Sequence, residues 1–145
     1  MTDSTPESAL GYQVAHLARL LGRELRTRLE PFGVGAAQFA VLFELYQQDG
    51  LTQADLRTRL RVEQPTMANT LDRMERDGLV TRRSDPRDGR RARVLLTRQA
   101  HDLRAHVTAA VDAGNAVALR GLDQVEVDRF RATLALMTGN LARDE

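Results

Sequence analysis

Four hydrogen-bonding side chains, Thr66, Asn69, Thr70 and Arg73, share one face of a short helical pattern, and three arginines, Arg87, Arg90 and Arg91, crowd a Gly-containing loop soon after it. Met67, Leu71 and Met74 stand at i, i+4 and i+7, so they turn inward and leave the polar four outward. Around these residues, positions 51–98 read in the order helix, turn, helix, hairpin, and the three arginines sit at the hairpin tip. A small domain of this kind can put a helix into the major groove of DNA and an arginine into the neighbouring minor groove. The chemistry expected is nucleic-acid recognition rather than catalysis.

The charge distribution suits that reading. The whole chain carries only +1, yet residues 51–100 hold twelve Arg against seven acids, a net of +5, and the remainder is net −4. A basic segment in an acidic frame concentrates the attractive field on one region, as phosphate binding requires. All 21 basic residues are arginine. Guanidinium groups bind phosphates and guanine edges bidentately, but the uniformity is mainly compositional and carries little functional weight.

The elements that must position these groups are legible in the caps. A first helix is expected from Thr5 as N-cap and Pro6 at its first position, with Leu10, Val14, Leu17, Leu21 and Leu25 as its apolar stripe, ended by Pro31 and Gly33. A second starts near Gly35, with Gln38 three residues beyond the cap, and stops at Asp49 and Gly50. Thr52 and Asp55 form a capping box for the third, whose inward positions are Leu56 and Leu60. The fourth begins around Gln64 and Pro65 and ends at Gly78. Leu79–Arg83 and Ala92–Leu96 are candidate strands, joined by the turn residues Asp85-Pro86 and Asp88-Gly89. Thr97 caps a fifth helix to about Arg120, Gly121 breaks it, and Asp123 with Glu126 boxes the start of a sixth.

Composition excludes several classes. With no cysteine there are no disulfides, thiolate metal sites or cysteine-based oxidant sensors, and a reducing cytoplasm is the expected compartment. No apolar run approaches the roughly 20 residues of a membrane span, and MTDSTPES lacks a signal-peptide core, so no membrane partner is expected. His101 and His106 point about 140° apart round a helix, so neither a metal site nor a cofactor is expected. Phosphate loops and nucleophile elbows are also missing, and the chain reads as no enzyme.

Val107, Val111, Val117 and Leu119, with Leu122, Val125, Phe130, Leu134 and Met137 beyond, are more apolar surface than the small central domain can cover. A second copy of the chain is the simplest cover, which predicts a homodimer; an intrachain bundle is the alternative.

LTQADLRTRLRVEQPTMANTLDRMERDGLVTRR, followed by DPRDGRR and VLLT, resembles the MarR (multiple antibiotic resistance regulator) family. The similarity follows the element order of the whole chain and is most specific from Leu51 to Thr97. It implies a mainly α fold with a small β-hairpin wing, in which a winged helix-turn-helix DNA-binding lobe spans 51–97. Residues 1–50 and 98–145 would then form a helical dimerisation region. The implied function is sequence-specific transcriptional regulation, most often repression, by a homodimer on a pseudo-palindromic double-stranded DNA operator. Many members release DNA when a small aromatic or phenolic effector binds.

Carried over by position, the fourth helix becomes the recognition helix, presenting Thr66, Asn69, Thr70 and Arg73 to the major groove. Asn69 can pair with adenine, and Arg73 with guanine or phosphate. Thr52 and Gln53 would meet phosphates, Arg90 would enter the minor groove, and Arg87 and Arg91 would contact the backbone. Asp88 would support the wing by pairing with Arg90 or Arg73. Tyr12, His16, Arg19 and Phe39 are the candidate effector-binding residues, with filling of the dimer core as their other reading. Four positions depart from the family pattern: Arg57 stands where alanine is common, Ala68 for Ser or Thr, Asn69 for Arg, and Ala100 for glycine. A winged-helix protein-interaction module, and a regulator without an inducer, remain as alternative functions.

Overall fold

The computed structural model describes Thr5 and residues 9–142, which divide into two units at residue 114. In the first unit, α1 (Leu10–Leu29) runs into a 3-10 turn at Glu30–Phe32, followed by α2 (Ala36–Gln47), α3 (Gln53–Leu60), α4 (Gln64–Arg76), β1 (Val80–Ser84), β2 (Ala92–Leu96) and most of α5 (Arg98–Ala118). The start of α1 corrects the sequence expectation. Ala9 is its N-cap and makes no side-chain bond, Thr5 is outside the helix, and Pro6 lies outside the described residues.

The other caps form as their residues require. The Thr52 hydroxyl accepts the Asp55 N–H at 3.1 Å, and the Asp55 carboxylate accepts the Thr52 N–H at 3.0 Å. Such reciprocal caps satisfy two otherwise unpaired helix donors, each worth about 1 kcal/mol. The Gln38 side chain accepts the Gly35 N–H at 3.1 Å at the head of α2. Thr97 Oγ1 accepts the Ala100 N–H and donates to Gly78 O at 2.6 Å, so one hydroxyl starts α5 and ties it to the end of α4. Gly78 itself has φ of 77°, a left-handed conformation that lets the chain leave α4 and enter β1.

β1 and β2 pair antiparallel, with Val80 opposite Leu96 and Ser84 opposite Ala92. Leu51 O accepts the Val94 N–H at 2.8 Å, and Thr52 bridges Arg93, so the chain entering α3 adds a short third edge to the hairpin. This edge ties the wing to α3. Leu42, Leu45, Leu56, Met67, Leu71, Met74, Val80 and Val94 form one buried cluster beneath the helices and hairpin. The apolar face of α4 therefore packs inward and holds the polar face toward solvent. At the far end of this unit Gly114 is buried, and a Cβ there would meet Glu24 and Arg28 of α1 at 3.3 Å.

The second unit holds the end of α5, the turn at Gly121 and α6 (Gln124–Ala142). The backbone N–H groups and carboxylates of Asp123 and Glu126 exchange two 2.8 Å bonds, closing the expected capping box. Along α6 the apolar residues Val127, Phe130, Leu134, Met137 and Leu141 recur at three and four, the period of a single stripe.

Candidate nucleic-acid interface

α4 carries the predicted reading face. Met67, Leu71 and Met74 are almost fully enclosed, Thr66, Asn69 and Arg73 are exposed, and Thr70 is half-buried with its hydroxyl donating to Thr66 O at 2.9 Å. Among the described residues, the side chains of Asn69 and Arg73 have no partner and are free to bind outward. The N-cap, Glu63, makes no side-chain bond, and Pro65 opens the helix. The first N–H groups therefore stay uncapped, as anion contacts at a helix start require.

The wing is held against this helix by a contact that sequence reasoning missed. Arg82 on β1 reaches Asp72 at 2.5 Å and Glu75 at 3.3 Å, both on α4. The Asp72 bond first, then the Glu75 bond, hold the guanidinium above its ordinary pKa. Arg82 is 26% exposed and its partners more so, which limits the pairing to about 1 kcal/mol at most. Its greater effect is on geometry and field. It ties β1 to α4 and offsets the charge of two carboxylates on that helix. The Asp72, Glu75 and Arg82 side chains are readable in the sequence, but their meeting depends on how the hairpin folds back.

At the tip, Asp85 Oδ1 accepts the Arg87 N–H at 2.9 Å and Asp88 Oδ1 accepts the Arg90 N–H at 3.0 Å. The Arg87 backbone bond is the main reason Asp85 titrates below the usual carboxylate range, with Arg93 and Arg87 adding to it. Asp88 holds the Arg90 backbone and makes a loose 3.9 Å contact with Arg91; among the described residues it forms no ion pair with Arg90 or Arg73, contrary to the sequence expectation. Local Asx geometry wins because the turn brings the N–H within reach before any side chain arrives. Arg87, Arg90 and Arg91 are all exposed.

Thr52 is only 7% exposed and its hydroxyl is engaged by the cap, while Gln53 is half-buried beside it. Thr52, Gln53, Arg90, Arg91 and Gln64, the first residue of α4, border one cleft of about 280 Å³. The fold thus brings the start of α3, the start of α4 and the base of the wing tip together around one basic opening.

The effector candidates are not gathered in the same way. Tyr12 and His16 stack on exposed α1 with ring centroids 6.2 Å apart, and His16 and Arg19 border a groove of about 420 Å³ with Arg23 and Arg26. Phe39 borders none of this groove. It packs on the core and tilts against Phe43 at 6.1 Å. Among the described residues, no group of three His, Asp or Glu side chains converges as a metal site would, and no helix is long and apolar enough to cross a membrane.

Comparison with known proteins bears on this arrangement directly. The family model described as "MarR family" matches residues 32–91, which include α2, α3, α4 and most of the hairpin. Over those residues the chain is similar to the MarR family. Among solved structures, MepR of S. aureus in its DNA complex is 29% identical, with 94% of this chain and 99% of that chain covered at a TM-score of 0.83. A MarR transcriptional regulator from Methanosarcina mazei Go1 is 25% identical, with coverages of 94% and 91% and a TM-score of 0.83. CouR from Rhodococcus jostii RHA1, bound to p-coumaroyl-CoA, is 21% identical with a TM-score of 0.82 over 91% and 93% of the two chains; at that identity the likeness is one of fold. Among the described residues, six α-helices and a two-stranded hairpin match the winged-helix fold of these MarR structures, as the resemblance implied.

Proposed function

We propose that this protein is a dimeric transcriptional repressor that reads a pseudo-palindromic DNA operator through α4 and the wing. The observation that carries it is the unpartnered outward face of Asn69 and Arg73, flanked by a wing of exposed arginines and by the basic cleft. MepR, the relative at 29% identity, is solved on DNA, which supports the same use of the same elements here. Thr66 and Thr70 line the groove wall, Arg87 and Arg91 contact the backbone, and Arg90 enters the minor groove. Thr52 and Gln53 approach a phosphate at the head of α3.

Dimerisation through residues 1–50 and 98–145 is supported by apolar surface that is exposed among the described residues. Leu10, Val14, Leu17 and Leu21 on α1 and Phe130, Leu134 and Leu141 on α6 are all exposed, Leu141 to 74%. Stripes of this size on a water-facing helix call for a partner, and a second copy supplies identical, self-complementary faces. Two lobes joined in this way match the two half-sites of a palindrome. A small aromatic or phenolic effector meeting Tyr12, His16, Arg19 and Phe39 is the regulatory part of the proposal. His16 and Arg19 border one groove and Phe39 does not, and the effector site is proposed to form in the assembled dimer.

The test is a mobility-shift titration of the protein against its own upstream region at two salt concentrations. A preferred palindromic site and a steep salt slope are expected. Binding without preference or slope would leave a protein-interaction module as the better reading. Asn69→Ala should relax preference at one base position per half-site, lowering discrimination by about 1–3 kcal/mol in a binding-site selection assay. Unchanged selectivity removes Asn69 from the reading set. Arg90→Ala should weaken binding most where the flanks are A·T-rich, because a narrow minor groove concentrates negative potential. Equal losses on A·T- and G·C-rich flanks would place Arg90 elsewhere.

A further inference from the structure

Arg57 stands out in the basic cleft. It lies on α3, half-buried. Its Nε is fully enclosed and has no hydrogen-bond partner, and among the described residues Arg57 makes no ion pair. Arg93, whose Nε is likewise enclosed, has Asp85 at 3.6 Å; Arg57 has no such counter-charge. An enclosed guanidinium donor without a partner is costly, and ordering a long side chain adds a loss of rotamer entropy. A bound oxyanion at the Nη groups, which are not enclosed, would supply the counter-charge that Arg57 lacks.

The surroundings fit that occupant. Arg57, Arg90 and Arg91 supply three guanidinium groups to the lining, Gln53 and Gln64 supply amide donors, and no carboxylate borders the cleft. The nearest competitor is Asp88, 3.9 Å from Arg91 Nε in an exposed pair that water and salt weaken. Asp55, on the adjacent turn, is already held by the Thr52 cap. At about 280 Å³ the cleft falls below the usual size of a drug-sized ligand site and has room for a phosphate group with its waters.

We propose that Arg57, with Arg91, forms a seat for one phosphate group between the head of α3 and the wing. Such a group reaches the seat either as a diester of the DNA backbone or as free phosphate. The proposal rests on the DNA-binding reading for the first source only. A seated backbone phosphate would fix the height of the lobe over the groove. It would do so independently of base sequence, since phosphate contacts position a protein and base contacts specify its site.

The experiment uses the full chain and three variants. Arg57→Gln keeps length and hydrogen bonding without charge, Arg57→Lys restores charge, and Arg91→Gln removes charge from the exposed side of the same cleft. Operator binding is followed by fluorescence anisotropy across a salt series, and DNA-free protein is titrated with inorganic phosphate against chloride of equal ionic strength, followed by thermal unfolding. If a DNA phosphate occupies the seat, Arg57→Gln and Arg91→Gln each reduce the slope of log K against log salt by about 0.9, base preference is unchanged, and Arg57→Lys recovers the slope. If free phosphate occupies it, the slope stays and the phosphate-dependent rise in melting temperature disappears in both Gln variants. Gln variants that keep both the wild-type slope and the wild-type phosphate response overturn the seat. A wild-type protein that shows no salt-dependent operator binding overturns the DNA reading instead, and the phosphate arm alone then decides the seat.

Discussion

Leu17→Glu combined with Leu134→Glu should leave the protein monomeric and lower affinity for its full operator by about 10²–10⁴-fold, the advantage that linking two binding modules confers. Both leucines are exposed in the single chain and lie within apolar stripes, one on α1 and one on α6. Neither belongs to the buried cluster, so each lobe should keep its fold and its grip on an isolated half-site. Light scattering measures the first effect, and paired titrations on full and half operators measure the second. Unequal losses on the two DNAs are expected, with the half-site nearly unaffected. A variant that is monomeric yet still binds the full operator tightly contradicts the two-lobe architecture, and one that stays dimeric assigns the interface to other residues.

Leu71→Ala should destabilise the lobe by about 2–5 kcal/mol, the range for emptying an enclosed leucine site. Leu71 is fully buried at the middle of the inward face of α4, in the same cluster as Leu56, Met67 and Met74. Against a total stability of about 5–15 kcal/mol this is a large fraction, and it acts on the helix that carries the reading face. The denaturation midpoint should fall with little change in slope, since the surface exposed on unfolding is nearly the same. Operator affinity should fall with it under conditions where part of the lobe is unfolded. Asn69→Ala, on the opposite side of the same helix, is the control: it should leave the midpoint unchanged and alter base preference. If Leu71→Ala leaves the midpoint unchanged, the two faces of α4 have been assigned the wrong way round.

The candidate site was legible in the sequence to the extent that it depends on local periodicity. Thr66, Asn69 and Arg73 point outward because Met67, Leu71 and Met74, at helical spacing, must point inward; no other part of the chain is needed to decide that. The Thr52–Asp55 and Asp123–Glu126 boxes and the turn at Asp88-Gly89 are equally local, and each formed where its residues stand. The head of α1 was misjudged for the same reason. Thr5-Pro6 is good cap chemistry, but the described helix begins at Leu10. A cap signal shows where a helix can start and does not by itself supply contacts to hold the first turn.

Sequence alone determined the order of elements, the inward and outward faces and the concentration of arginine in residues 51–100, because all three follow from spacing within a few residues or from composition. Only the tertiary structure decided which charges meet. It paired Arg82 with Asp72 and Glu75, turned Asp88 onto the Arg90 backbone, enclosed Thr52, and left Arg57 unpaired beside the wing arginines. The reason is that these partners lie on different elements or depend on the exact course of a turn. Long flexible side chains have many partners within reach in sequence, and the packing of hairpin against helix selects among them.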